Sequence, residues 1–349
     1  MTRPTMPAPI ALQTLIGEHP SVAGLRDLVS RVARSKAGIV LIYGETGTGK
    51  GLVARTLHSQ SERAQNNFTE INCAAIPGNL LESELFGHER GAFTGAVEKK
   101  VGLLEVSNGG SLFLDEIREL DPVMQAKILT LLDSRRFRRI GAVNELSTNA
   151  RFIAATNKIL LNEVVAGKFR DDLYYRLQVV SINIPPLRDR GDDVLVLAYR
   201  LLAKYNALHD SHFTEIDPAV QEIFRQYRWP GNVRELGNLL ERICILEEGE
   251  CIYERHLPPR IVREVIRQDS DGDSLHDEAI HAMPAALSAG EPMSAGDYFE
   301  RTMQFQKILI ENALQRSQGN LSRAAGYLGI SRHALRHQLA RLGMSISKD

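Results

Sequence analysis

Eight consecutive residues, Gly44-Glu45-Thr46-Gly47-Thr48-Gly49-Lys50-Gly51, carry the most pointed chemistry in this chain. A glycine-rich run closed by a lysine suits a polyphosphate: backbone N–H groups converge on the anion, and the ammonium reaches the β- and γ-phosphates. Such a loop has to sit between a strand and a helix. Ile39-Val40-Leu41-Ile42-Tyr43 is the continuous, β-branched apolar run of a buried parallel strand, and a helix is expected over residues 52–59, so the phosphate-binding set extends through Leu52. The alternative is a glycine-rich turn without a ligand. Gly51 stands where a phosphate loop usually has Ser or Thr to hold magnesium. The metal must then rely on phosphate oxygens, water and a carboxylate elsewhere.

That carboxylate is found after a second buried strand, Ser111-Leu112-Phe113-Leu114, which delivers Asp115 and Glu116 to its C-terminal end, where ligands bind in an open α/β sheet. Asp115 is placed to hold a magnesium shell through water, and Glu116 to polarise an attacking water. Two acids after a strand also suit a helix N-cap. A third strand, Arg151-Phe152-Ile153-Ala154-Ala155, ends in Thr156-Asn157, whose amide can orient water or a γ-phosphate. A fourth, Phe68-Thr69-Glu70-Ile71, ends in Asn72, which either caps the strand end or hydrogen-bonds Glu116 and holds it from water until ATP arrives.

Arg170 and Arg176 fall six positions apart on an expected helix and read by default as surface ion pairs. The alternative is an arginine offered to a neighbouring subunit, worth about 10³ to 10⁵ in rate, or roughly 4–7 kcal/mol of barrier. Beyond the rigid connector Pro185-Pro186-Leu187-Arg188 the pattern is wholly helical, over 192–205, 218–227 and 233–246, which reads as a small lid. In Trp229-Pro230-Gly231-Asn232-Val233-Arg234 a turn launches the last of these helices, with Asn232 available as N-cap. A cation in the first turn, Arg234, opposes the helix dipole unless an anion such as a γ-phosphate, or a nearby acid, faces it.

A different stretch presents a side chain rather than a pocket. In Gly91-Ala92-Phe93-Thr94-Gly95-Ala96 one bulky aromatic stands among small residues between two glycines, the composition of a mobile loop. Physics leaves two readings open, a presented Phe93 or a phenylalanine tucked under an ordinary turn.

The 349 residues leave room for two or three domains, and 43% hydrophobic with 24% charged residues is ordinary for a globular protein. The net charge of -1 hides an asymmetry. Residues 297–349 hold eight Lys/Arg against four Asp/Glu, leaving 34 against 39 for the remainder, so the tail is the part suited to a polyanion. Cys73, Cys244 and Cys251 are scattered and lack metal-ligand spacing. They read as thiols in a reducing compartment, and with no signal-peptide core and no membrane span the expected location is the cytoplasm. About 20 residues precede the first amphipathic segment, 22–32, too few for an N-terminal sensor domain.

Residues 264–296 carry seven Asp/Glu against Arg267 alone, with Ser, Gly, Ala and Pro between, and read as a flexible tether. A helix with apolar spacing over 298–316 follows, either dimer-forming or simple core. In Asn320-Leu321-Ser322-Arg323-Ala324-Ala325-Gly326-Tyr327-Leu328-Gly329-Ile330-Ser331-Arg332 a short helix rests on small alanines, Gly329 turns, and a second helix begins at Ser331. This is a helix-turn-helix with an uninterrupted basic face. Ser331, Arg332, Arg336 and His337 start the helix expected to meet base edges or phosphates, and Arg323 and Arg341 suit phosphates of double-stranded DNA.

Together these features resemble the AAA+ module of bacterial enhancer-binding proteins, activators of sigma-54 RNA polymerase, over residues 15–260. The resemblance is carried by the hexapeptide Gly91 to Ala96 beside a phosphate loop. It implies an α/β fold with a parallel sheet flanked by helices (15–186), a helical lid (187–263) and a C-terminal all-α, Fis-type helix-turn-helix (297–349), after an N-terminal tail (1–14). It further implies an ATPase using ATP and Mg2+ in an oligomeric ring, hexameric in the family, with Gly91-Ala92-Phe93-Thr94-Gly95-Ala96 contacting sigma-54 and a second loop at 138–149 beside it. By the same resemblance Gly44 to Lys50 is Walker A, Asp115 and Glu116 Walker B, Asn72 the switch residue, Asn157 sensor I, Arg170 and Arg176 the trans arginines and Arg234 sensor II. The family often has Glu after the loop lysine, and Gly51 departs from it. Regulation would come from a partner acting in trans, from control of expression, or from nothing beyond constitutive activity. A DNA-binding regulator using its ATPase only as an oligomerisation switch would share all of this except a need for the hexapeptide. An AAA+ unfoldase would not need the helix-turn-helix.

Overall fold

The computed structural model describes residues 15–266 and, in the tail, positions 307, 310–311, 313–317, 320–327, 335 and 339. The chain divides into two compact units, Met1–Asp273 and Ser274–Asp349, which are taken separately.

The first unit is built on a parallel sheet of β1 (Ile39–Tyr43), β2 (Phe68–Asn72), β3 (Ser111–Asp115), β4 (Arg151–Thr156) and β5 (Ser181–Asn183) in the order β2-β3-β4-β1-β5. β1 therefore lies between β4 and β5, a reversal of strand order that opens a crevice at the carboxyl edge. The register places Asn72 beside Asp115 and Tyr43 beside Thr156, so every strand delivers its terminal polar residue to that edge. β5 is a correction to the four strands expected. Three residues are too short to give an apolar period, and its place is set by pairing with β1.

Period-two alternation splits each strand between two cores. Val40, Ile42, Phe113 and Ile153 face α1 (Pro20–Ala33) and α2 (Lys50–Ser59), burying Val29 and Leu57. Leu41, Leu112, Leu114 and Phe152 face the other way, toward α3 (Gly78–Phe86), α4 (Pro122–Ser134) and α5 (Asp171–Leu177). A third core holds the lid: α6 (Asp193–His209), α7 (Pro218–Gln226) and α8 (Asn232–Leu246) close around Trp229, whose indole donates to Phe224 O at 2.8 Å.

In the second unit Ile310, Ala313, Ala324, Ala325, Leu335 and Leu339 form a small core, with α9 (Leu321–Tyr327) resting on its two alanines. Asn320 Oδ1 accepts the Arg323 N–H at 3.2 Å, and the Arg323 side chain is exposed. Ser331, Arg332, Arg336, His337 and Arg341 lie outside the described residues.

Candidate active site

The loop from Gly44 to Gly49 leaves β1 and enters α2 at Lys50, two residues earlier than the pattern predicts. Gly49 makes the entry at φ +100, where the left-handed backbone favours glycine, so the lysine falls in the first helical turn. The loop floors a cleft of about 790 Å³ that also meets Asn72, Asp115, Glu116 and Arg234. Lys50 is 7% exposed; its ammonium donates to Gly44 O at 3.1 Å and stands 3.3 Å from Glu116 Oε1. Thr48 hydroxyl donates to Glu45 O, closing the loop on itself.

Glu116 is held at φ +52, an uncommon conformation for a residue with a side chain, and its N–H bonds Asp115 Oδ1 at 3.0 Å. Its Oε1 faces Lys50, while Oε2 is buried without a partner among the described residues. A buried carboxylate oxygen lacking a donor is an acceptor awaiting one. Burial raises the Asp115 carboxyl above its ordinary range, opposed by the nearby Lys50 charge. Two adjacent carboxylates, with no cluster of three metal-ligating side chains among the described residues, are a donor set that fits magnesium, which keeps waters and phosphate oxygens rather than an all-protein cage.

The expected Asn72–Glu116 hydrogen bond is not made. Asn72 Oδ1 instead accepts the Ala74 N–H at 2.9 Å in the turn after β2, and the Lys50 charge takes the carboxylate. Asn157 donates to Thr46 Oγ1 at 3.2 Å and leaves its Oδ1 buried without a partner among the described residues. Arg234, in the first turn of α8, forms no side-chain ion pair with any described residue and lines the cleft. Asn232 is not the N-cap. The helix starts at it, Gly231 takes the cap position, and Glu235 reaches back to the Gly231 N–H at 2.9 Å.

Arg170 and Arg176 stand away from this cleft. Arg170 precedes α5 rather than lying in it and forks onto Asp172 at 3.0 and 2.7 Å. Arg176 pairs with Asp133 at 2.9 Å and donates to Leu132 O.

The Phe93 loop rises from a short antiparallel stem, Gly87–His88 against Lys100–Val101. Gly91 (φ +80) and Gly95 (φ +105) turn it, closed by Gly91 N–H to Ala96 O at 2.8 Å. Phe93 is 41% exposed, its ring edge-on to His88 with centroids 5.0 Å apart, and Thr94 is exposed. A second stem, Arg136–Phe137 against Leu146–Ser147, docks beside the first through Ile140 N–H to Gly87 O at 2.9 Å. Arg139 ties the two, reaching Glu89 at 2.7 Å and Glu105 at 2.7 Å.

Residues 15–183 match the sigma-54 interaction domain, 188–273 the AAA+ ATPase lid domain and 303–342 the bacterial regulatory proteins of the Fis family. Regulatory protein AtoC of Escherichia coli is 40% identical over 334 residues, covering 95% of this chain and 68% of that protein. Transcriptional regulatory protein ZraR of Klebsiella oxytoca is 40% identical over 338 residues, covering 97% and 71%. The chain belongs to the sigma-54-dependent transcriptional regulators. It is an AAA+ ATPase by its interaction and lid domains, and NtrX from Brucella abortus, solved in complex with ATP, resembles it with a TM-score of 0.65 at 32% identity, over 95% of this chain and 69% of that one. Among the described residues, no helix of this regulator is long and apolar enough to cross a membrane.

Sequence pattern missed part of the regulator's cleft. Leu15 and Ile16 line it from a strap ahead of α1, and Leu197, Val233 and Arg190 line it from the lid side. Asp193 holds the strap, its Oδ1 accepting Glu18 N–H at 2.6 Å and His19 N–H at 3.0 Å. Gly17 fits only as glycine, since a Cβ would stand 2.4 Å from Asp193 Oδ2. The one signal available was a glycine just after two apolar residues, and it is weak.

Proposed function

We propose that this regulator is a DNA-tethered ATPase whose hydrolysis cycle drives the Phe93 loop against sigma-54 and opens promoters held closed by its polymerase. The reading is carried by one observation: a single compact unit contains both the Lys50–Glu116 cleft and an exposed Phe93 on a paired-strand stem. ATP lies along residues 44–52 with Lys50 on its β- and γ-phosphates. Asp115 would hold magnesium, with phosphate oxygens and water completing its shell, and the ion would supply neutralisation of the phosphate charge. The arriving phosphates draw the Lys50 ammonium away from Glu116, which is then free to accept a proton from water. The water oxygen bonds the γ-phosphorus as the bond to the ADP oxygen breaks. Asn157 and Arg234 contact the γ-phosphate, and Asn72 becomes a partner for Glu116 once Lys50 has released it.

The modules at 15–186 and 187–263 assemble as a homo-oligomeric ring, a hexamer by family likeness, in which Arg170 and Arg176 leave their surface ion pairs to complete a neighbour's site. The tether at 264–296 leads to a DNA-binding domain at 297–349. There Ser331, Arg332, Arg336 and His337 read or grip upstream DNA, with Arg323 and Arg341 on phosphates.

Thr94→Ala tests the output. DNA binding should be unchanged and ATP hydrolysis should stay within about 3-fold, because an exposed loop residue contributes little to the fold. Open-complex formation with sigma-54 polymerase should be lost. Unchanged transcription would overturn the proposal and leave the ATPase as an oligomerisation switch.

A further inference from the structure

The turn that launches α8 is both strained and buried where it meets the phosphate loop, and none of the chemistry above uses it. Asn232 is fully buried at φ +49, and Trp229 stands at φ +50. Residues with side chains hold that conformation only where their surroundings fix it. The surroundings here are two separate segments, the phosphate loop and the connector. Asn232 Nδ2 donates to Glu45 Oε2 at 3.2 Å and to Thr46 O at 3.1 Å, while its Oδ1 accepts the Leu187 N–H at 2.8 Å. Glu45 is gripped in turn by Arg188, whose fork reaches its two oxygens at 2.8 and 2.6 Å. Gly47 lies under the same turn so closely that a Cβ would stand 2.0 Å from Gly231 O, and its carbonyl accepts the Arg234 N–H at 3.3 Å. Two residues beyond Asn232, Arg234, which has no side-chain ion pair among the described residues, lines the cleft.

We propose that Asn232, with Glu45 and Arg188, is a positioning latch that locks the lid helix in register with the phosphate loop and so holds Arg234 in the cleft. The inference rests on the ATPase reading of that cleft. Glu45 accordingly acts on nucleotide through the lid as well as through the loop backbone. A side-chain amide suits such a latch, because one group donates to the loop and accepts from the connector, and neither bond depends on charge at the buried end. Misplacement on the order of 1 Å costs about 10²-fold in rate when a group must meet a transition state.

The test uses the full chain with Asn232→Ala and Arg188→Ala; the second removes a half-exposed side chain and keeps the test decisive where the first fails to fold. Amide exchange at Leu187 and over residues 231–236 should rise about 10-fold or more, since the latch bonds protect those amides. The kcat for ATP should fall about 10- to 100-fold in Asn232→Ala and less in Arg188→Ala. In an Arg234→Ala background, Asn232→Ala should lower kcat by less than about 3-fold further, because the two act in one chain of effects. Unchanged exchange in both variants overturns the latch, and so does an equal fold-loss of kcat in the two backgrounds, which would make Asn232 a structural residue only. A wild-type chain that hydrolyses no ATP would instead sink the ATPase reading, with the exchange measurement still deciding the latch.

Discussion

Lys50 and Phe93 belong to the same compact unit, yet Lys50 is 7% exposed and bonded to both its loop and Glu116, whereas Phe93 is 41% exposed against one histidine ring. The difference extends to their glycines. Gly47 is wedged under the lid, while a Cβ on Gly91 or Gly95 would meet no atom within 4 Å. Chemistry on a phosphate gains from groups fixed before the reaction starts, and a contact loop gains from few bonds to break. Arg139 stands at the base of the loop pair, where hydrogen bonds to Glu105 and then Glu89 hold its charge and raise its pKa. Substitutions should therefore separate cleanly, with hydrolysis lost from one region and coupling to the polymerase lost from the other.

The largest effect belongs to Lys50→Ala. Removing the ammonium proposed to meet the phosphates should lower hydrolysis by about 10³-fold or more, the scale of a lost transition-state charge. ATP affinity, read by calorimetry, should fall with it, while the Phe93 loop keeps its exchange pattern. Next come Arg170→Ala and Arg176→Ala. Both side chains are exposed and away from their own cleft, so ADP binding should stay within about 3-fold while hydrolysis falls about 10²-fold or more. Full turnover in either variant would remove that arginine from the trans role and leave it a surface ion pair.

How far the sequence shows this division depends on the range of each interaction. Lys50, Asp115 and Glu116 were legible because a glycine-rich loop and two strand ends announce themselves locally. The parallel sheet followed from apolar runs, and β5 escaped because Ser181–Asn183 is shorter than any period. Of the two readings of Asn72 the structure shows the strand-end cap, because Lys50 stands nearest the Glu116 carboxylate. Asn232 and Arg188 were legible only as turn and connector residues and Asp193 only as a position in an expected helix, since partners lie 45 to 187 positions away for Asn232 and 174 to 175 for Asp193. Phe93 is the reverse case: its neighbours are local, but composition alone could not choose between a covered ring and a presented one.

A pair of glycines turns the comparison into a measurement. Gly47 at φ +82 and Gly91 at φ +80 ask nearly the same of an alanine backbone, about 1–2 kcal/mol. Their surroundings differ, because Gly91 opens onto space and Gly47 onto Gly231 O at 2.0 Å. Gly91→Ala should thus lose only the backbone term in a urea titration. Gly47→Ala should lose about 1–3 kcal/mol more and hydrolysis with it, as the lid is forced off the loop. Equal losses would show that the lid yields freely, and the two regions would then differ less in rigidity than their bonding implies.

Gly51 gives the smallest effect. It lies in α2 beside the cleft, and a Cβ there would meet only Phe113 Cε1 at 3.9 Å, an ordinary contact. Helical glycine costs up to about 1 kcal/mol against alanine, less in a first turn. Gly51→Ala should therefore raise Tm by about 1–3 °C and change hydrolysis less than about 3-fold. Gly51→Thr places the same Cβ and adds the hydroxyl that a phosphate loop usually carries there, so any gain of Gly51→Thr over Gly51→Ala in magnesium dependence measures what that hydroxyl contributes. A tenfold loss in Gly51→Ala would mean instead that nucleotide approaches the helix backbone too closely for any side chain, extending the tight packing of the cleft one residue past Lys50.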